Sequence, residues 1–392
     1  MSDLRTKKAL LCSITVFFWF AQYVYIPFLT PWLMTLAISA TAVGTIIGAY
    51  GLTQLLLRIP LGISVDLINN HKIVILAGVL LAGLSSLGML VFPSPGMLFL
   101  ANALSGVASS TWISFTILYP AYYDEGQGTR AIGIINAFQN LGILAAFIVG
   151  GLLFGRFGIK ALFLASFASG LLGSLLALGI RHEPSARRAN VSVASLLMVV
   201  KERRVIFFSL LCSVTYLMLF ATVFSFATST ARALGATGPQ LGAFAMLYSV
   251  GCISGSTFIA TPAAHALGER RLLSGAFLIL TAYCLCIPLL GTPRFFYPLQ
   301  LGCGFGSGIL TSSLMAFAVK GVEPGRRTTA MGFYQSIYCI GMTAGPVLMG
   351  MLIDHASKGA AFLAVAGATL ACALLIPLVY RTGFLELTPA SS

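Results

Sequence analysis

Arg58 is the basic residue set deepest in an apolar stretch: Gly51 to Leu57 runs apolar before it, and Ile59–Pro60 follows. It lies eight residues before Asp66, which is about 12 Å along a helix. A guanidinium there can bind an anionic group of a solute, pair with an acid, or reach lipid headgroups along its own apolar stem. The other ionisable groups are placed differently. The acids are Asp3, Asp66, Asp124, Glu125, Glu183, Glu202, Glu269, Glu323, Asp354 and Glu386, and the histidines are His71, His182, His265 and His355. All of them fall at the ends of apolar runs or between runs. No carboxylate or imidazole stands mid-run, where burial would bring its proton affinity into a working range. The polar groups inside the runs are amides, hydroxyls and aromatic rings: Trp19, Gln22, Tyr23, Asn102, Trp112, Tyr216, Gln300 and Thr311. Amides bind polar solutes or neighbouring helices but take up no proton at physiological pH. The eight cysteines sit within apolar runs and read as small core residues, not as a disulfide framework or a metal site. There is no phosphate-cradling loop, no metal-spaced ligand set and no nucleophile beside a base. The chain is therefore expected to be no enzyme, with no catalytic residue, metal or cofactor.

The elements that position these residues follow from composition. The chain has 392 residues, 58% of them hydrophobic and 8% charged, with a mean hydropathy of +0.95. A soluble domain carries roughly 25% charged residues, so this is a polytopic membrane protein. A bilayer span needs about 20 apolar residues, and twelve such spans can be placed: 9–33, 41–64, 73–91, 97–120, 131–154, 161–180, 205–228, 240–262, 272–290, 295–318, 328–353 and 360–380. They form an N-terminal six-helix bundle, 1–180, and a C-terminal one, 205–392, with a cytoplasmic linker at 181–204 that holds a short apolar segment suited to the bilayer surface. All basic residues except Arg156, Lys160, Arg232, Arg294 and Lys358 fall on one side, which places both termini in the cytoplasm. The net charge of +13 reflects this topology and not nucleic-acid binding. The first apolar run is too long for a signal-peptide core and reads as the first span. The halves also repeat. Gly44 and Tyr50 recur as Gly242 and Tyr248, and Ala131, Gly133, Gly142, Gly151 and Phe163 recur as Ala330, Gly332, Gly341, Gly350 and Phe362. Parallel six-span repeats are the pattern of a two-bundle transporter.

Gly62, Asp66 and Lys72 together resemble the loop motif between the second and third helices of the major facilitator superfamily. In the second half Asp66 aligns with Ala264, and only Glu269, Arg270 and Arg271 keep charge, so the first half is expected to carry the more complete gate. Gly142 and Gly151 follow the outline of the superfamily's fifth-span motif, and Gly341 with Gly345–Pro346 marks a hinge in the eleventh. Asn102 stands where proton-coupled drug exporters of the superfamily carry an arginine. The resemblance implies the twelve-helix, all-α membrane fold and rocker-switch alternating access. It also implies a cavity lined by spans one, four, seven and ten, with Trp19, Gln22, Tyr23, Asn102, Trp112, Tyr216, Gln300 and Thr311 on its wall. Asp124, Glu125 and Arg130 are expected to meet Asp66 and Lys72 in an inter-bundle latch, with Arg58 beside it.

The expected function is secondary transport of a small organic solute, a metabolite or drug, in the direction of efflux. The expected setting is a monomer in the plasma or inner membrane, its partners the solute and the lipid bilayer, with a proton as coupling ion. Two alternatives stand beside it: an importer or facilitator of an anionic nutrient that uses Arg58, and a membrane sensor or scaffold on a transporter fold.

Overall fold

In an apolar stretch surrounded by lipid, backbone N–H and C=O groups find partners only within their own segment, so each stretch closes into a helix. The computed structural model describes residues 2–68, 70–124, 127–180, 202–320, 322 and 327–382; for residues 2, 3, 59, 62–68, 129, 327 and 328 it describes the backbone alone. Among the described residues the protein is all-helical, and twelve segments are long and apolar enough to cross a membrane. Each overlaps one expected span. The first span is made of α1 (Ser2–Tyr23) and α2 (Ile26–Leu33), the second of α3 (Ala40–Ile68), the third of α4 (His71–Val91). The fourth is α5 (Pro95–Ser110) with α6 (Trp112–Ala121), the fifth α7 (Gly128–Phe157), the sixth α8 (Ile159–Ala177). In the second half the seventh span joins α9 (Arg203–Ala221) to α10 (Ala227–Ala233), and α11 (Gly238–Phe258) is the eighth. The last four are α12 (Pro262–Cys286), α13 (Phe296–Val319), α14 (Arg327–His355) and α15 (Lys358–Arg381).

Two boundaries differ from expectation. α3 runs through Gly62 and Asp66, so these residues lie on a helix and not in a turn. The next helix opens where Asn70 accepts a hydrogen bond from the Ile73 amide at 3.3 Å. The ninth span begins ten residues early, because the Thr261 hydroxyl caps the Ala264 amide at 3.3 Å and Pro262 fits a first helical turn. Gly268, at φ 74°, breaks this short lead-in before the main helix; a side chain there would be strained.

Glycines set how closely the helices approach. Gly106 of α5 lies against the Tyr50 carbonyl of α3 so closely that a Cβ would overlap it, and Gly304 of α13 lies the same way against the Tyr248 carbonyl of α11. Gly142 of α7 rests on the Val16 carbonyl of α1, and Gly341 of α14 on that of Ser213 in α9. Gly345 rests on the Leu217 carbonyl, one residue before Pro346. Tyr50 with Tyr248, and Gly142 with Gly341, are pairs matched by the sequence repeat, so the repeat is one of packing. Small residues let backbones meet closely enough for dispersion and weak Cα–H···O contacts to hold helices together in lipid.

The chain forms two compact units, Met1–Ala189 with Ala236–Met246, and Asn190–Gly235 with Leu247–Ser392. Residues 236–246 were expected with the second bundle. They join the first unit because Gly238 and Gly242 of α11 seat against Gly155 and Gly151 of α7. Most of the expected linker, residues 181–201, lies outside the described residues.

Candidate functional site

Three of the four spans expected to line a cavity are broken. The first breaks between α1 and α2, where Pro27 has no amide hydrogen to donate and Phe28 N bonds back to Tyr25 O at 3.0 Å. The fourth breaks at Thr111, whose hydroxyl donates to Ala108 O at 2.7 Å. In the seventh, Thr222–Phe226 forms a π-helical turn, and the Thr222 hydroxyl donates to Met218 O at 2.8 Å. The tenth span, α13, is continuous. Irregular backbone at membrane depth persists only where protein or a cavity surrounds it, and π-turns gather at functional sites.

The breaks in spans one and four present an aromatic cluster in the first unit. Trp19 meets Trp112 edge-on with ring centroids 5.2 Å apart, and Tyr23 lies 5.6 Å from Trp19. Tyr23 also meets Phe147 of α7 at 6.0 Å, and Trp112 stacks on Phe115 at 5.1 Å. Trp19 is 6% exposed, yet its indole Nε1 is buried without a hydrogen-bond partner. An indole nitrogen can only donate, and a buried donor left unmade costs about 1–3 kcal/mol. In the second unit Tyr216 of α9 stacks on Tyr338 of α14, with centroids 4.3 Å apart and planes 17° from parallel. Tyr338 was not among the sequence candidates; a stacking partner on another helix leaves no trace in local spacing.

The amide candidates are committed elsewhere. Gln22 donates from Nε2 to Ser105 O at 3.1 Å and accepts from the Ser105 hydroxyl at 2.5 Å, which ties span one to span four. Asn102 donates to Ile46 O at 2.7 Å and to Ile47 O at 3.1 Å, tying span four to span two. Both act between helices and do not present a free amide. Gln300 is buried beside the Tyr283 hydroxyl. Thr311 turns its hydroxyl onto Ser307 O at 2.9 Å.

The gate residues are placed as follows. Arg58 is half-buried and donates from Nη1 to Gln54 Oε1 at 3.3 Å. Lys72 donates to Leu178 O at 2.7 Å and so caps the end of span six. Asp124 and Arg130 are exposed. Glu125 and the side chain of Asp66 lie outside the described residues, as does any side-chain contact at Gly62.

The second unit carries more charge pairing than the sequence suggested. Glu269 of α12 accepts from Lys320 at 2.8 Å and from the Tyr380 hydroxyl at 3.0 Å, and Arg204 lies 3.9 Å away. The carboxylate thus joins the starts of α9 and α12 to the ends of α13 and α15. Read in sequence as the residue of a degenerate loop, Glu269 is a four-element clasp. Beside α3 in the first unit lies an apolar groove of about 290 Å³, walled by Leu57, Pro60 and Leu61 on one side and Val74 and Ala77 on the other.

The sequence profile of the Major Facilitator Superfamily matches residues 11–230 and again residues 209–388. An uncharacterised MFS-type transporter of Methanocaldococcus jannaschii is 25% identical over 343 residues, spanning 84% of this chain and 86% of the relative. The fold is similar to that of a bacterial homologue of the human lysosomal transporter Spinster, solved inward-facing and unoccupied, with a TM-score of 0.79 at 14% identity over 99% of both chains. It is also similar to the nucleoside transporter NupG, with a TM-score of 0.76 at 17% identity over 96% of this chain and 99% of that one. With two repeats matched across nearly its whole length, the chain belongs to the major facilitator superfamily of membrane transporters.

Proposed function

We propose that this transporter carries a small organic solute with a planar ring by alternating access, and that the Trp19–Tyr23–Trp112 cluster binds that ring. The observation that carries the reading is Trp19: a rigid aromatic wall with a buried, unpartnered N–H at its centre suits a flat solute bearing a hydrogen-bond acceptor. Tyr216 and Tyr338 offer a second stacking surface in their own unit. Export, with a proton as coupling ion, both termini in the cytoplasm and a monomer in the plasma or inner membrane complete the proposal. The name of one structural relative, a nucleoside transporter, makes nucleosides and related heterocycles the first compounds to try.

The test is a thermal-shift screen of purified protein against neutral heterocycles, followed by flux in liposomes with and without a pH gradient. A stabilising compound that is also moved supports the reading. If no heterocycle stabilises the protein, the aromatic cluster is packing, and absence of flux with every compound tried favours a sensor or scaffold.

A further inference from the structure

Helices α12 and α15 of the second unit run antiparallel and are tied at two levels. The Thr281 and Thr369 hydroxyls meet at 2.9 Å, and the Tyr380 hydroxyl donates to Glu269 at 3.0 Å. The second tie brings the end of α15 level with the start of the main part of α12. Both helices turn leucines outward. Leu278 and Leu285 of α12 are 49% and 42% exposed, and Leu374 and Leu378 of α15 are 60% and 56% exposed. In a chain that spans a membrane, such rows face acyl chains.

Each row ends in an exposed arginine. At about 3.6 residues per turn, Arg271 shares a face of α12 with Leu278 and Leu285, and Arg381 shares a face of α15 with Leu374 and Leu378. Neither guanidinium makes an ion pair among the described residues, and nor does exposed Arg270. The nearby acid, Glu269, precedes Arg271 by two residues, about 200° around the helix, and so faces the other way. It is already held by Lys320, Tyr380 and Arg204. Cations therefore outnumber acids at this end, and the surplus stands where the leucine rows stop. Between Arg271 and Leu278 the α12 row has a notch: at Gly275 a Cβ would meet nothing within 4 Å.

We propose that Arg271 and Arg381 bind the phosphate of one anionic phospholipid, whose acyl chain lies in the notch at Gly275. A guanidinium presents a planar fork of donors that matches phosphate oxygens, and it keeps its charge throughout the working pH range. The leucine rows fix the depth, since a chain lying along them leaves its phosphate level with the arginines. Each basic residue beside a span strengthens anionic-lipid binding about fivefold. The bound phosphate offsets the surplus charge around Glu269 and bridges the ends of α12 and α15, so lipid should stabilise the protein. Free phosphate shares the headgroup's chemistry, but the leucine rows and the notch favour the lipid.

The experiment uses the purified full chain in neutral detergent. Native mass spectrometry follows binding of phosphatidylglycerol and phosphatidylcholine across a titration, with melting temperature read in parallel. The variants are Arg271→Gln, Arg381→Gln, the two combined, and Gly275→Leu. Arg294→Gln, at an exposed arginine at the opposite end of the same unit, is the control. Both proposed ligands are exposed, so the unliganded variants should melt with wild type. Wild type is expected to hold one phosphatidylglycerol about tenfold tighter than phosphatidylcholine. Each single arginine variant should weaken that binding about fivefold and the combined variant about 20-fold, with Arg294→Gln unchanged. Gly275→Leu should weaken both lipids at this site. Equal affinity for the two lipids in wild type, wild-type affinity in the combined variant, or an equal loss in Arg294→Gln overturns the site. Unchanged binding in Gly275→Leu overturns the placement of the chain. If inorganic phosphate raises the melting temperature as much as phosphatidylglycerol and displaces it, the ligand is a free anion and the lipid assignment is wrong. Solute transport enters none of these readouts, so the result stands apart from the proposed function.

Discussion

Gly304 lies against the backbone carbonyl of Tyr248 with no room for a methyl group between them. The same relation holds between Gly106 and Tyr50 in the other half. Gly304→Ala is expected to force the two helices apart and destabilise the protein by about 1–3 kcal/mol, the usual range for overpacking. Gly302, two residues away with nothing near its missing side chain, is the control, and Gly302→Ala should stay within about 0.5 kcal/mol. Thermal unfolding in one detergent compares them directly. Equal melting temperatures would show that α11 and α13 are not held at this distance.

Glu269 joins four helix ends, and its loss leaves Lys320 and Arg204 facing each other across the place of the carboxylate. Glu269→Gln should destabilise by about 1–2 kcal/mol, given that hydrogen bonds to charged groups are worth about 1.5–3 kcal/mol and the site is partly solvated. A double-mutant cycle with Lys320→Gln separates the pair from other effects. Coupling of about 0.5 kcal/mol or more is expected, falling as salt rises, and strict additivity would show the clasp to be incidental.

The two units solve the same problem with different chemistry. Lys72 caps the end of span six through the Leu178 carbonyl, while Glu269, at the matching start of span nine, holds the end of span twelve through Tyr380. Lys72→Met should lower stability by about 0.5–1 kcal/mol, as for a cation removed from a helix C-terminus. Hydrogen exchange should show the change concentrated at the end of α8; faster exchange spread evenly through the unit would contradict a local cap.

Ser105 and Gln22 bond to each other twice. Ser105→Ala strands the buried Gln22 oxygen and should cost about 1–3 kcal/mol. The double variant Ser105→Ala with Gln22→Leu should recover only the part of that loss due to the stranded Gln22 oxygen, because the Ser105 hydroxyl also bonds the Tyr25 hydroxyl at 3.3 Å. A double variant less stable than the single one would mean that the Gln22 bond to the Ser105 backbone carbonyl, which Ser105→Ala keeps, outweighs the stranded oxygen. Stability of the purified variants at equal detergent concentration is the readout.

The architecture was legible because lipid forces every apolar stretch into a helix, so span positions follow from hydropathy alone. The halves were legible too, since Tyr50 and Tyr248, or Gly142 and Gly341, keep one register for a packing reason. Side-chain roles were less so. Asn102 and Gln22 look like cavity amides by type, but only the neighbouring helix shows that their hydrogen bonds are already made to Ile46, Ile47 and Ser105. Glu269 was underrated because its partners Arg204, Lys320 and Tyr380 come from three distant spans. The extended first residues of span nine escaped because Gly268 at positive φ divides what hydropathy reads as a loop.

The most direct measurement is solute flux in proteoliposomes, using the compound that most stabilises the purified wild type, with Trp19→Phe as the comparison. Phenylalanine keeps the aromatic face and removes the unpartnered N–H, so the variant should fold with a melting temperature equal to or above that of wild type. Saturable flux in wild type, with the half-saturating concentration raised about tenfold in Trp19→Phe, is the predicted result. Flux that is absent, or identical in the two proteins, would contradict a solute site at Trp19.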